Sequence, residues 1–171
     1  MASLIDTLIE VMDEECEIYS NLLEVTSNKT QVIVKGDIDE LQKIVEVEQA
    51  VVDQVGNLEK KRQVAVSDIA IVLGKEADGL TVADIVKLLG KQPEEQKRLS
   101  ELHARLKNIV NQVIEFNAHN KTLLEQSLEM TEFSLSLLQN ANRAPETANY
   151  TRGAYTSSTI APNQGMFDAK Q

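Results

Sequence analysis

Apolar residues recur along most of this chain in alternating steps of three and four, the spacing that keeps side chains on one face of an α-helix. The longest ladder runs from about Glu94 to Gln139, beginning with Leu99, Leu102, Leu106, Ile109, Val113, Phe116 and Leu123. Asn120 stands where the series would continue between Phe116 and Leu123. From there the stripe slips by one residue onto Leu124, Leu128, Thr131, Leu135 and Leu138, with Ser127 and Ser134 beside it. This second half is leaner, and such a face can accept a partner. Two stripes precede the ladder. Ile5, Leu8, Ile9, Met12, Cys16, Tyr19, Leu22, Leu23, Thr26, Thr30 and Ile33 lead up to Gly36. Leu41, Ile44, Val45, Val51, Val52, Val55, Leu58, Ala65, Ile69, Val72 and Leu73 lead up to Gly74.

Start and stop signals divide these stripes. Ser3 with Asp6 reads as a helix start. At Lys35-Gly36-Asp37, glycine supplies a left-handed C-terminal residue and Asp37 caps a second helix with Glu40 three residues on, a connection that forces an antiparallel hairpin. Thr81 with Asp84 opens a short helix that Gly90 ends, and Pro93-Glu94-Glu95 opens the last one. The spacing predicts helices over 3–34, 38–73, 82–89 and 94–140. No alternating strand-like run appears. The expected fold is all-α: an elongated antiparallel helical bundle or coiled coil of three long helices and one short helix, occupying residues 1–140.

Beyond Asn140 the periodicity is lost and Thr, Ser, Asn, Ala, Pro and Gly take over, so residues 141–171 read as a flexible C-terminal tail. Three of the chain's six aromatics, Tyr150, Tyr155 and Phe167, lie there. They are either incidental to an inert tail or the anchors of a short motif that folds onto a partner.

Charge and composition narrow the function. The chain of 171 residues has 42% apolar residues, ordinary for a globular domain, and carries 17 Lys and Arg against 27 Asp and Glu. The tail holds Arg143, Arg152 and Lys170 against Glu146 and Asp168, a net of +1, so of the chain's −10 the first 140 residues carry −11. Such an acidic body argues against nucleic acid, which needs clustered cations. The short basic run Lys60-Lys61-Arg62 reads as a solvated helix face. The N-terminus has no basic start and no long apolar run, so neither a secretory signal nor membrane insertion is expected and the cytoplasm is the expected location. Cys16 lies on an apolar stripe and reads as a small buried hydrophobe.

Catalytic patterns are missing. His103 and His119 lack the Glu-x-x-His spacing of di-iron bundles, and Glu10, Glu14 and Glu17 read as a solvated face. His103-Ala104-Arg105-Leu106-Lys107 is similar to the His-x-Leu-Lys-Gly signature of histidine phosphotransfer bundles. However, an extra residue separates His from Leu, and Asn108 stands where glycine would admit the phosphodonor. There is no phosphate loop, nucleophile elbow or zinc spacing. The chain reads as a binder, with no enzyme activity and no metal or other cofactor.

One family matches in order. Glu15-x-x-x-Tyr19-x-x-Leu22-Leu23, Lys29, Val34-Lys35-Gly36-Asp37 with Leu41, Leu58-Glu59-x-x-Arg62, and Asn117-x-x-Asn120-x-x-Leu123-Leu124-x-x-Ser127-Leu128 together resemble the FlgN-type flagellar export chaperones. The likeness covers nearly all of residues 4–139, and the spaced tyrosines and Gly-x-Phe of the tail look like those of Gram-positive members. The resemblance implies a cytosolic chaperone that holds the amphipathic terminal helices of hook-filament junction (hook-associated) proteins and delivers them to the flagellar type III export gate. It also implies that the client binds the C-terminal region, here Leu123, Leu124, Ser127, Leu128, Thr131, Leu135 and Leu138. Read without the family, the same stripes also suit a structural coiled-coil adaptor that forms a homodimer and has no client.

Overall fold

The computed structural model describes residues 2–75, 79–90 and 92–142. The tail residues Tyr150, Tyr155 and Phe167 lie outside the described residues. Four helices follow one another: α1 Ala2–Lys35, α2 Ile38–Val72, α3 Val82–Leu88 and α4 Pro93–Asn142. Each boundary falls within two residues of the sequence-based expectation, and the described residues contain no strand. The chain divides into two compact units, residues 1–130 and 131–171.

Local chemistry sets the joints of the first unit. Gly36 adopts φ +71°, a left-handed conformation that costs an L-residue energy through its Cβ. The Asp37 carboxylate then accepts the Glu40 N–H at 3.0 Å. At α3 the capping box is complete, because Thr81 Oγ1 accepts the Asp84 N–H while Asp84 accepts the Thr81 N–H. The Thr81 hydroxyl, which also donates to the Asp84 carboxylate at 2.6 Å, together with Lys87 and the Thr81 N–H, holds the Asp84 carboxyl below its ordinary pKa. Ser3 does not cap α1. The helix begins one residue earlier, and the Ser3 carbonyl accepts a bond from Thr7 Oγ1 inside the helix.

Cross-helix contacts reveal the directions. Glu15 meets Arg62, Tyr19 meets Glu59 and Lys29 meets Glu48, so positions on α2 fall as those on α1 rise, and the two helices are antiparallel. The Cys16 thiol lies 3.7 Å from the Leu102 carbonyl and Asn120 reaches Thr26 and Thr30, so α4 runs in the direction of α1.

Two apolar cores result. The larger draws Leu8, Ile9, Met12 and Cys16 from α1, Ala65 and Ile69 from α2, Ile85 from α3, and Leu99 and Leu102 from α4. The smaller joins Leu22, Val55, Ile109 and Val113. Leu99 is fully buried, and truncating such a leucine to alanine costs about 2–5 kcal/mol. Cys16 is buried as expected, and burial raises its thiol pKa.

Three valines of the second stripe depart from expectation: Val45, Val52 and Val72 are exposed. At the hairpin end of α2 the reason is visible, because the layer opposite is polar. Lys29 pairs there with Glu48, and Thr26 and Thr30 bond Asn120.

Candidate functional site

Polar groups inside the 1–130 unit sit in layers that set how its helices register. Glu15 is fully buried, and its Oε1 accepts a hydrogen bond from Arg62 Nε at 2.9 Å. No described residue donates to its Oε2. Burial raises the Glu15 pKa, opposed by the hydrogen bond and charge of Arg62. Next to this pair, Tyr19 donates to Glu59 Oε1 at 2.9 Å, and burial together with that carboxylate pushes the phenol up to about 12. Arg62 is therefore not part of a solvated basic run, as its neighbours Lys60 and Lys61 are. It faces α1, because one residue of helix rotates a side chain by about 100° and so turns it toward the interface.

The last layer belongs to Asn120. Its Nδ2 donates to the Thr26 carbonyl at 2.9 Å, and its Oδ1 accepts from Thr30 Oγ1 at 2.6 Å. A buried amide with both ends satisfied is tolerated only in one register. The break in the apolar ladder is thus a specificity feature. Carrying forward the 90-residue offset between Thr30 and Asn120 places Lys35, the end of α1, beside Glu125. Past that level α1 has no further turn to offer α4.

The exposure of α4 follows. Leu123 is half-buried, while Leu124 and Leu128 of the first unit are exposed, Leu128 to 60%. In the second unit, whose described part is residues 131–142, every residue is exposed, among them Thr131, Leu135 and Leu138. Ser127 is exposed and donates to the Leu123 carbonyl. The residues expected to bind a client are accordingly exposed, apart from the half-buried Leu123.

Met130, Phe133 and Leu137 were not among the expected site residues, yet they are large, apolar and exposed. Their own spacing of three and four was the available signal, on a second stripe beside that of Leu124. Within the second unit, helical phase places Ser134 between Phe133 and Leu137 on one side and Leu135 and Leu138 on the other. Glu125, Glu129 and Glu132 occupy the remaining side, and no Lys or Arg occurs between Thr122 and Asn142. The end of α4 is both apolar and acidic.

Elsewhere catalytic geometry does not assemble. His103 is half-buried and His119 exposed, and Glu10, Glu14 and Glu17 are exposed. Among the described residues, no cluster of three His, Cys, Asp or Glu could hold a metal ion, and no helix is long and apolar enough to cross a membrane.

A relative from Bacillus subtilis (strain 168), described as uncharacterized protein YvyG, is 23% identical over 163 residues, covering 95% of this chain and 96% of its own. No solved structure matches. The family model described as FlgN protein matches residues 1–158, which takes in all four helices and the exposed end of α4. The chain therefore belongs to the FlgN-type flagellar chaperone family.

Proposed function

We propose that this protein is a cytoplasmic chaperone of flagellar type III export that binds the amphipathic terminal helices of hook-filament junction proteins and delivers them to the export gate. The observation that carries the reading is a helix with Leu124, Leu128, Phe133, Leu135, Leu137 and Leu138 exposed in succession. A monomer rarely leaves such a run to water, and a client helix laid along it buries two apolar faces at once. The binding residues are Leu123, Leu124, Ser127, Leu128, Thr131, Leu135 and Leu138, extended by Phe133 and Leu137. Glu125, Glu129 and Glu132 favour a client helix flanked by Lys or Arg. Serine and threonine within the face keep affinity moderate, as release at the export gate requires. Residues 1–140 serve as a helical bundle scaffold, and residues 141–171, with Tyr150, Tyr155 and Phe167, reach the gate while the client is held.

Titrating the full chain with a synthetic terminal helix of a hook-filament junction protein tests this. Saturable one-to-one binding that a Leu128→Gln/Leu135→Gln variant loses supports it. A tight homodimer that persists unchanged in the presence of that helix supports the coiled-coil adaptor instead.

A further inference from the structure

The 1–130 unit holds a groove of about 680 Å³ lined by α1, α2, α4 and the segment leading into α3. Its floor is apolar, since Met12, Val82 and Leu106 line it and are buried. Its rim is basic: Arg62 comes from α2, while His103 and Lys107 stand one turn apart on α4. No Asp or Glu occurs among the described lining residues, in a chain where acids outnumber Lys and Arg by 27 to 17. The surface is thus charge-selected against the background of its own protein. Arg62 commits its Nε to Glu15. Lys107 and His103 take part in no ion pair or side-chain hydrogen bond with the described residues. Lys107 is exposed and His103 is half-buried at the edge of the floor.

Cationic donors above an aliphatic floor complement one kind of ligand, in which carboxylates flank an aliphatic side chain. We propose that this groove docks a short acidic segment of a partner protein. Its carboxylates meet the Lys107 ammonium and the His103 imidazole N–H, and one aliphatic side chain rests on Met12, Val82 and Leu106. Nucleic acid fits less well, because its phosphate backbone has nothing to place on that floor and would meet a chain of net charge −10. The groove shares no residue with the client-binding face, so the inference stands apart from the client reading.

The test uses the full chain and a labelled peptide, Asp-Glu-Leu-Asp-Glu-Leu, with a counterpart carrying Lys at every acidic position. Methyl resonances of Met12, Val82 and Leu106 should shift with the acidic peptide alone. A His103→Glu/Lys107→Glu variant should raise its Kd by about tenfold or more, and added salt should weaken the wild-type complex. Lys107→Ala, at an exposed position, provides a second reading in case the double variant perturbs packing, with a Kd increase of about threefold expected from one rim cation. The Leu128→Gln/Leu135→Gln variant should bind the peptide like wild type. The proposal is overturned by equal binding of the lysine peptide, by shifts confined to methyl groups outside the groove, by single-stranded DNA competing as well as the acidic peptide, or by an unchanged Kd in both variants.

Discussion

Replacing Arg62 with methionine would strand a fully buried carboxylate, that of Glu15. Glu15 is 0% exposed and Arg62 is its sole described hydrogen-bond donor, while the Arg62 side chain itself remains 30% exposed. Removing one partner of a buried ion pair costs about 3–5 kcal/mol, chiefly because the remaining charge is left desolvated. Partial exposure of Arg62 lets water reach its side of the pair, so the expected loss is about 3 kcal/mol near neutral pH.

The pH dependence gives the diagnostic. Burial raises the folded-state pKa of Glu15, so the folded protein binds its proton more readily than the unfolded chain does. Stability from this group therefore falls as pH rises from the ordinary carboxylate range through the raised folded value, and is regained as pH falls. Arg62 opposes the shift, so removing it widens that window upward. Arg62→Met should consequently be most damaging near pH 7 and less so near pH 5. Urea unfolding followed by far-ultraviolet circular dichroism at both pH values measures this. Glu15→Met/Arg62→Met should recover most of the loss, since a well-packed apolar pair replaces the ionic one. The reasoning fails if the single variant loses less than about 1 kcal/mol, loses equally at both pH values, or is no worse than the double variant.

Other outcomes follow from the same geometry. Leu128→Gln/Leu135→Gln should leave the unfolding free energy from urea melts within about 0.5 kcal/mol of wild type while abolishing client-helix binding, because both side chains are more than half exposed; a variant that unfolds instead would place them in the core. Asn120→Ala should cost about 2 kcal/mol by removing two buried hydrogen bonds, and Asn120→Leu with Thr30→Val should cost less than either change alone, as a double-mutant cycle of urea melts would show. Gly56→Ala should add about 0.5–1 kcal/mol, because Gly56 lies inside α2 with nothing within 4 Å of an added Cβ; a lower thermal midpoint would contradict that. Truncation after Arg143 should preserve client binding and helical content but impair secretion of the client, and normal secretion would make Tyr150, Tyr155 and Phe167 incidental.

Helix boundaries were legible in the sequence because they depend on residues close together in the chain. Gly36 turns left-handed, Asp37 accepts from Glu40, and the Thr81–Asp84 box closes within four residues, so no distant contact is needed to predict them. The apolar ladder of α4 was equally local, and Leu99, Leu102, Leu106, Ile109 and Val113 are all buried. What periodicity cannot supply is the level at which one helix meets another. Arg62 and Lys61 are adjacent in sequence, yet only the antiparallel register of α1 and α2 puts Arg62 against Glu15 and leaves Lys61 in water. Val45 and Val52 share a stripe with Val55, but the layer opposite their half of α2 holds Lys29, Thr26 and Asn120. The same holds for the exposed face of α4. Its residues were readable as a leaner stripe, while their exposure depends on where α1 ends relative to Asn120, a consequence of helix lengths and offsets that only packing establishes.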